Sequence, residues 1–428
     1  MDNTDLKSKF KQGKLPSEQD YASLIDAIGP VSEDTLKNIE LGLDGYDEIE
    51  GGIRDYFKSP LNDLRTQLLG KDDHVFNLGF GTDYHYDSAS AFQPYPENTT
   101  PREKLIDYMG QGLRKSLNIL SLSDILDALV FNGDNVDQPT EYDLVQQRLL
   151  MYKQHKDFAN TAFSLAKCPV FLMKGNHDNN HNMKHPDLVP KNVIHDSDFN
   201  LLYKQNGSQG EIRKDGSNYF YKDFPEKGVR LIGLDTSDSP ETVGDDGSLL
   251  YDRFHNSYLQ QAQLDWLANT ALQNTEGLTI VITLHFSVNH TVGTREDQTM
   301  INHDVLKTIL ADFVAGEVSN KTITSTSTDF PATVTYSFNN AGTIAGVLGG
   351  HYHYDNYKRV DNINYILSRC SLLMGDNVLK EKRLDYAGTA LEDSFDIFSI
   401  DTHKRTISTI RFGAGSEDTK YATRSWSY

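Results

Sequence analysis

Cysteine is scarce in this sequence, where Cys168 and Cys370 are the only two among 428 residues. Two cysteines are too few for a disulfide framework or for a structural zinc site built from thiolates. Each of them adjoins a run of apolar residues, which predicts two small side chains buried in a core.

Long apolar runs are missing as well. No stretch reaches the roughly 20 consecutive apolar residues that a membrane-spanning helix requires. The N-terminus also lacks the apolar core of a secretory signal peptide. We therefore expect a soluble chain with no Sec signal peptide, no transmembrane segment and no membrane insertion.

Basic residues are outnumbered, since 41 lysines and arginines stand against 61 aspartates and glutamates, for a formal net charge of -20. A surface this negative repels nucleic-acid chains and anionic lipids, so broad nucleic-acid binding is disfavoured. The composition, with 38% hydrophobic and 24% charged residues, is close to that of globular proteins and argues against wholesale disorder.

Residues 1–72 differ in pattern from the rest of the chain. They are polar, and their apolar residues recur at helical spacing, so that Phe57, Leu61, Leu64 and Leu68 fall on one face of a helix. An isolated helix cannot bury such a stripe. We expect a small helical N-terminal extension that packs on the domain formed by residues 73–428, or on a second copy of the chain in a homo-oligomer.

From residue 75 onward, short apolar runs alternate with longer helical stretches, which is typical of a layered α/β domain. The predicted strands cover residues 75–81, 128–132, 169–174, 218–224, 229–235, 278–284, 343–348, 364–368, 395–400 and 406–412. The predicted helices cover residues 102–126, 142–166, 258–272 and 301–314. Short links among the last strands predict a mixed sheet. We interpret the Ser/Thr-rich segment 322–335 as a surface hairpin or loop rather than a flap over a site.

Potential metal ligands follow the ends of five predicted strands. They are Asp83 and His85, then Asp134 and Asp137, then Asn176, His177 and Asp178, then His285, and finally His351 and His353. The carboxyl ends of strands in α/β sheets converge on one rim, where ligands usually bind. Glycines precede four of the five clusters, as expected where the backbone turns sharply. The five clusters are therefore expected to meet in space.

Spacing and residue type point to a transition metal. In an extended chain residues i and i+2 project to the same side. Asp83 and His85 can therefore bind the same metal ion, and so can His351 and His353. Imidazole nitrogen combined with carboxylate and amide oxygen suits Mn, Fe or Zn better than Ca. Singly, these aspartates could be turn or cap residues and these histidines surface residues. Jointly they favour a metal site, in which His285 is preferred over His290 because it directly follows its strand.

The ordered set of motifs resembles the signature of the calcineurin-like metallophosphoesterases. The resemblance spans about residues 75–412 and rests on the motifs Asp83-x-His85, Gly133-Asp134-x-x-Asp137, Gly175-Asn176-His177-Asp178, His285 and Gly350-His351-x-His353. It implies an α/β fold, namely a four-layer sandwich of two mixed β-sheets flanked by helices. It also implies two divalent or mixed-valence transition metal ions, with manganese, iron and zinc as the candidates.

The resemblance also implies a role for each motif residue. One ion would be held by Asp83, His85 and His353, a second by Asn176, His285 and His351, and Asp134 would bridge them. The catalytic residue His177 would approach the substrate and protonate the leaving group, oriented by neighbours such as Asp178. Asp137 would buttress its loop.

The implied activity is that of a dinuclear metal-dependent phosphoric ester hydrolase, in which a hydroxide bridging the two ions attacks a phosphomonoester or phosphodiester. The metal ligands alone do not determine which phosphoester is the substrate. Specificity is expected in the loops at residues 86–100, 179–200, 237–256 and 288–300, none of which is notably basic. A small or singly charged phosphoester is therefore favoured over a long polyanion.

Residues 9–26 are similar to short segments of phage tail and baseplate proteins. That likeness implies a virion-associated hydrolase acting on a cell-envelope phosphodiester, or a structural or binding module of a phage tail whose metal site is not catalytic. An ordinary helical extension is an equal alternative for this segment. A third hypothesis is a metal-dependent amide or ester hydrolase of another family. The predicted location is cytoplasmic or virion-associated.

Overall fold

The computed structural model describes residues 53–88, 110–138, 144–180, 193–204, 207–245, 249–293, 298–316, 318–373 and 383–428. The segment 9–26, on which the likeness to phage proteins rests, lies outside these ranges. Among the described residues, no helix combines the length and the apolarity needed to cross a bilayer.

The described residues form a mixture of strands and helices that alternate along the chain. The strands are β1 Phe76–Gly81, β2 Ala128–Asn132, β3 Val170–Met173, β4 Phe220–Phe224, β5 Val229–Leu234, β6 Ser257–Tyr258, β7 Thr279–Leu284, β8 Met300–Ile301, β9 Val318–Thr324, β10 Thr333–Phe338, β11 Thr343–Gly349, β12 Asn356–Val360, β13 Ile363–Leu367, β14 Ser394–Asp401, β15 Thr406–Gly413 and β16 Thr423–Ser427. The α-helices are α1 Asp55–Leu69, α2 Gly112–Leu120, α3 Leu144–Leu165, α4 Asp196–Leu202, α5 Gln261–Trp266, α6 His303–Ala315 and α7 Thr419–Ala422.

Twelve of these strands form two six-stranded mixed sheets. Sheet 1 has the strand order β16-β15-β14-β1-β2-β3, and sheet 2 has the order β12-β13-β11-β7-β5-β4. The strands β1, β2 and β3 run parallel in sheet 1, as do β13, β11, β7 and β5 in sheet 2. The strands β14, β15 and β16 of sheet 1, and β12 and β4 of sheet 2, pair antiparallel with their neighbours. The parallel strands are continuous apolar runs because both of their faces are covered.

The two sheets pack face to face and helices cover their outer faces, which confirms the predicted four-layer sandwich. Phe80 and Phe171 of sheet 1 meet Val281 and Leu348 of sheet 2 in the core between the sheets. A second core joins the outer face of sheet 1 to α1, α2 and α3. A third joins the outer face of sheet 2 to α5, α6 and the β9–β10 hairpin.

Helix α1 carries the apolar stripe predicted for the N-terminal region. Phe57, Leu61, Leu64 and Leu68 are buried against the outer face of sheet 1, and the Phe57 ring lies 5.8 Å from that of Phe412. The same chain therefore covers this stripe, and the helix needs no second copy to bury it. Residues 1–52 lie outside the described ranges, so the extension as a whole stays a prediction.

The ten predicted strands all form, with ends that differ by at most two residues from those observed. The edge strands β12 and β16 were not predicted, because they carry exposed polar residues and no apolar run. Segment 322–335 lies in the β9–β10 hairpin. On the inner face of this hairpin, Val334, Tyr336 and Phe338 are buried in the core that covers sheet 2.

Two helix predictions were longer than the helices observed. Of the predicted range 102–126, helix α2 covers only Gly112–Leu120, and residues 102–109 lie outside the described ranges. It ends at Leu120, because the hydroxyls of Ser121 and Ser123 donate to the carbonyls of Asn118 and Leu120 at 2.7 and 2.6 Å and compete with helical hydrogen bonds. Helix α5 begins at Gln261, since the residues just before it form the short strand β6.

Candidate metal centre

The loops that follow five central strands meet at one edge of the sandwich. Strands β1, β2 and β3 of sheet 1, and β7 and β11 of sheet 2, each end just before one of the predicted ligand clusters. Backbone hydrogen bonds join these loops, as Asp83 N donates to Gly133 O at 3.0 Å and Gly350 N donates to His285 O at 3.1 Å. The clusters are therefore held together by their main chains as well as by their side chains.

The backbone of the clusters is left-handed rather than extended, which corrects the expectation drawn from their spacing. The φ angle is 54° at Asp83, 48° at His85 and Asp134, 67° at His351 and 63° at His353. Side chains two residues apart therefore converge through tight turns. Such sparsely populated conformations cost about 1–3 kcal/mol each and cluster where function requires them.

We name the first group of potential metal ligands site A, which consists of Asp83, His85, Asp134 and His353. One ligand atom from each of the four lies within 4.8 Å of the others. His353 Nε2 is 3.3 Å from Asp83 Oδ1, and His85 Nε2 is 3.2 Å from His353 Nε2. His85 Nε2 is also 3.7 Å from Asp134 Oδ2. Apart from His353, these side chains are buried.

We name the second group site B, which consists of Asp134, Asn176, His285 and His351. His285 Nε2 lies 3.2 Å from Asp134 Oδ2 and 3.0 Å from Asn176 Oδ1. His351 Nδ1 lies 2.8 Å from the same Asn176 oxygen. Asp134 belongs to both sites, so the structure brings all seven predicted ligands into two adjacent groups joined by one carboxylate.

Hydrogen bonds behind two of the imidazoles direct their lone pairs into the sites. His85 Nδ1 donates to Asp137 Oδ2 at 2.8 Å, and His285 Nδ1 donates to the backbone carbonyl of Asn132 at 2.9 Å. When the ring is neutral, as metal binding would require, its Nε2 atom is an acceptor that faces carboxylate, amide or imidazole acceptors. Acceptors that face one another in this way fit a divalent cation, and the donor set of nitrogen and oxygen suits Mn, Fe or Zn.

The charges of the site shift pKa values in the direction that a cation site requires. Burial raises the pKa of Asp83, but His353 and His285 outweigh it and lower the pKa to about 2. Burial lowers the pKa of His285, but Asp134 and Asp83 outweigh it and raise the pKa to about 9. The carboxylates are therefore ionised at neutral pH, and a bound cation takes the place of the proton that they hold on the imidazole.

His177 lies beside the two sites and belongs to neither of them. With His85 and Asp137 it forms a third group whose potential ligand atoms lie within 4.8 Å of one another. Its Nδ1 is 2.9 Å from Asp137 Oδ1, while the other oxygen of Asp137 accepts from His85. Burial lowers the pKa of His177, but Asp137 and Asp134 outweigh it and raise the pKa to about 10. The side chain is 23% exposed, so a molecule in front of the sites can reach the ring.

Asp178 does not contact the His177 ring, contrary to the expectation that it orients it. Its buried carboxylate accepts from the backbone N–H of Gly175 at 2.8 Å and of Val136 at 3.0 Å, and burial raises its pKa to about 7. It therefore ties the loop after β3 to the loop after β2. Asp137 orients the ring instead, because the side chains of two adjacent residues in a turn point in different directions.

Three further contacts of the site were not predicted from the sequence. Gln298 Nε2 lies 2.9 Å from His351 Nε2, and the Phe286 ring stacks on His351 with centroids 3.7 Å apart. The backbone carbonyl of Phe254 accepts from Asn176 Nδ2 at 2.9 Å. Phe286 directly follows a ligand and could have been suspected from that position. Gln298 and Phe254 lie far along the chain from their partners, and no local signal marks them.

The other histidine considered after β7 stays outside the centre. His290 is exposed and joins no group of potential metal ligands in the described part of the chain. The predicted specificity loops fall partly outside the described ranges, at residues 89–100, 181–192, 246–248 and 294–297. Their role in substrate choice stays a prediction.

Gly175 leaves no room for a side chain next to the shared carboxylate. A Cβ there would lie 2.2 Å from Asp134 Oδ1 and 2.3 Å from Asp134 N. We expect Gly175→Ala to lower the free energy of unfolding by about 3 kcal/mol or more and to weaken cation binding at both sites. Denaturant titration and calorimetry with Mn²⁺ measure the two effects.

Gly70→Ala is the matched control, since a Cβ there meets nothing nearer than 3.5 Å. This variant should change neither the free energy of unfolding nor the affinity for Mn²⁺ appreciably. Wild-type Mn²⁺ binding in Gly175→Ala would contradict the close approach described above.

The chain belongs to the calcineurin-like phosphoesterase family. The sequence model of that family matches residues 82–355, which is more than half of the chain and contains every ligand of sites A and B. Together with the Asp/His groups, membership identifies the protein as a metallophosphoesterase, a hydrolase of a family that typically binds divalent metals. No protein of curated function matches the sequence.

Three solved structures are similar to this chain at low identity. GAP50, the anchor in the inner membrane complex of Plasmodium, has 11% identity and a TM-score of 0.39, over 82% of this chain and 88% of that one. A predicted phosphoesterase from Streptococcus pneumoniae TIGR4 has 9% identity and a TM-score of 0.28, over 83% and 98%. A single mutant of Vps29 from Entamoeba histolytica has 6% identity and a TM-score of 0.27, over 82% and 97%. Likenesses this weak add nothing to the family assignment.

Proposed function

We propose that this protein is a dinuclear metal-dependent phosphoesterase that hydrolyses a small phosphomonoester or phosphodiester. The observation that carries the proposal is that Asp134 belongs to both ligand groups. A single carboxylate shared by two adjacent sets of nitrogen and oxygen donors is the arrangement that holds two cations close together.

Sites A and B together would hold the two cations, with Asp83, His85 and His353 on one side of Asp134 and Asn176, His285 and His351 on the other. Two divalent cations bound there supply Lewis-acid stabilisation of the phosphoryl oxygens and lower the pKa of a water molecule. The chain contributes two carboxylates to four positive charges, so the centre retains a positive excess that attracts a phosphate despite the acidic exterior.

His177 is the proton donor in this proposal. Asp137 accepts from its Nδ1 and fixes the ring plane, which leaves Nε2 as the atom that can face the substrate. In the absence of cations, Asp137 and Asp134 raise the pKa of His177 against the effect of burial, and Asp137 lies beside Nδ1 to stabilise the protonated ring. His177 can therefore deliver a proton to the departing alkoxide or phenoxide oxygen.

The net charge of -20 supports a small substrate rather than a long polyanion. Each additional phosphate of a polymer has to approach a surface that repels it, whereas a single phosphate needs only the cationic centre. A cell-envelope phosphodiester remains within the proposal as a substrate whose scissile phosphate reaches the centre.

A panel of nitrophenyl esters tests the function. Purified full-length protein loaded with Mn²⁺ should hydrolyse p-nitrophenyl phosphate or bis(p-nitrophenyl) phosphate, lose that activity after chelation and regain it when Mn²⁺ is restored. p-Nitrophenyl acetate serves as the carbon ester control and should stay near background. Full cation occupancy without phosphoester turnover would favour a binding or structural module. Cleavage of the carbon ester alone would favour an unrelated hydrolase.

A further inference from the structure

A partly buried cluster of charged residues lies behind site B. We name it the Arg253 cluster and define it by Lys174, Asp196, Asp235, Glu241 and Arg253. The side chains of Lys174 and Arg253 are completely buried. Arg253 donates to both oxygens of Asp196, at 3.2 and 3.1 Å, and to Glu241 at 3.0 Å.

Lys174 joins the same network from the other side. Its Nζ lies 2.9 Å from Asp235 and also bonds Asp196, so the Asp196 carboxylate accepts from both cations. Arg253 further donates from Nε to the hydroxyl of Ser239 at 2.8 Å. With these contacts the guanidinium is held at each of its three nitrogens, which fixes the main chain from which it extends.

The cluster is connected to site B at two points. Lys174 stands two residues before the ligand Asn176 in the loop after β3. Arg253 directly precedes Phe254, whose backbone carbonyl accepts from Asn176 Nδ2 at 2.9 Å. The cluster therefore holds both partners of the hydrogen bond that orients the Asn176 amide.

The orientation of that amide decides whether Asn176 can bind a cation. The terminal torsion of asparagine has a broad, roughly two-fold profile, so little in the side chain itself distinguishes the two orientations. With Phe254 O in place, Nδ2 points to the carbonyl and Oδ1 points to His285 Nε2 at 3.0 Å. Without it, the amide is free to turn its N–H groups, which repel a cation, towards the site.

We propose that Arg253 is a positioning residue for site B, acting through the Phe254 carbonyl on the Asn176 amide. The effect is selective, because Asn176 contributes to site B and not to site A. The inference rests on the proposed function, in which sites A and B each hold a cation. Outer contacts of this kind change metal affinity by about 10- to 100-fold when they are removed.

The experiment compares Mn²⁺ binding to the full-length wild type and to Arg253→Met and Arg253→Lys, by calorimetry and by elemental analysis after dialysis. The wild type should bind two equivalents. In Arg253→Met one equivalent should keep its affinity, and the other should weaken by about 10-fold or more. Arg253→Lys keeps the positive charge but not the several donors of the guanidinium, so its affinity for the second equivalent should lie between those of the wild type and Arg253→Met. If Arg253→Met does not fold, Arg253→Lys tests the proposal in its place.

Arg230→Met is the matched control. Arg230 is a buried arginine that pairs with Asp223 and donates to the carbonyls of Ala271 and Gln273, with no contact to either site. It should lower thermal stability while both Mn²⁺ equivalents keep their affinity, which separates a general loss of stability from a loss at site B.

Two results would overturn the positioning role. One is wild-type affinity for both equivalents in Arg253→Met and Arg253→Lys. The other is an equal weakening of both equivalents, which would mean that the arginine supports the whole centre and not Asn176. A wild type that binds fewer than two equivalents would instead refute the two-cation function and this inference with it.

Discussion

Changing Asp134 to asparagine is expected to abolish tight binding at both cation sites and to lower kcat/KM for phosphoesters by roughly 10³-fold or more. The carboxylate lies 3.2 Å from His285 Nε2 and 3.7 Å from His85 Nε2, so its charge serves both groups of ligands. Asparagine tolerates the left-handed backbone, with φ of 48°, that Asp134 adopts. The variant therefore removes the charge with little change of backbone, and Mn²⁺ calorimetry with phosphoester kinetics measures the result.

Asp127→Asn is the matched control for this prediction. Asp127 directly precedes β2, whereas Asp134 follows the same strand, so the two carboxylates lie at its opposite ends. Asp127 accepts from Asn77 N at 2.7 Å and pairs with Lys227 at 3.4 Å, far from both sites. This variant should retain both Mn²⁺ equivalents and its activity. If Asp134→Asn lost only one equivalent and kept the other at full affinity, the carboxylate would not be shared.

The second large effect is expected from His177→Asn, which should lower kcat by about 10²- to 10⁴-fold while both Mn²⁺ equivalents remain bound. His177 belongs to neither site A nor site B, and its Nδ1 pairs with Asp137 at 2.9 Å. A proton donor matters most when the leaving group is a strong base. The loss should therefore be larger for an alkyl or phenyl phosphate than for p-nitrophenyl phosphate, and kinetics on the two classes measure the difference.

His403→Asn provides the comparison for His177. His403 lies in the turn between β14 and β15, stacks on His74 with ring centroids 3.9 Å apart and belongs to neither site, so its replacement should leave kcat unchanged for both classes of substrate. Equal losses for good and poor leaving groups in His177→Asn would argue against proton donation. Loss of a Mn²⁺ equivalent in that variant would place His177 among the ligands.

The positions of the ligands were predictable because each motif is short and stands directly after a buried strand. An apolar run of four to seven residues indicates a strand, and the glycine, aspartate, asparagine and histidine that follow it mark the turn at its end. The rule that parallel strands present their carboxyl ends on one edge then brings Asp83, Asp134, Asn176, His285 and His351 together. No long-range information is needed for that step.

The partners of the ligands were not predictable in the same way. Asp137 pairs with His177 across 40 positions of the sequence, and Gln298 contacts His351 across 53. Asp178, the neighbour of His177 in sequence, faces backbone donors instead. Sequence proximity therefore selected the wrong carboxylate, because contact depends on the direction of each side chain in a folded turn.

Edge strands are likewise hard to predict from the sequence. The central strands can be recognised in the sequence as continuous apolar runs, because both of their faces are buried. Strands β12 and β16 expose alternating or polar residues, and their pairing with β13 and β15 comes from backbone hydrogen bonds that any sequence can make. Their existence depends on the neighbouring strand and not on their own composition.

The amino-acid sequence by itself determined the class of fold and the family, because local patterns of apolar runs and turn residues specify where strands end. It also predicted the seven side chains that the structure places in two adjacent groups of potential metal ligands. Only the tertiary structure decided that Asp137 orients His177 and that Arg253 lies behind Asn176. These contacts join residues from separate loops, and their geometry exists only after the two sheets have packed and set the loops at fixed distances.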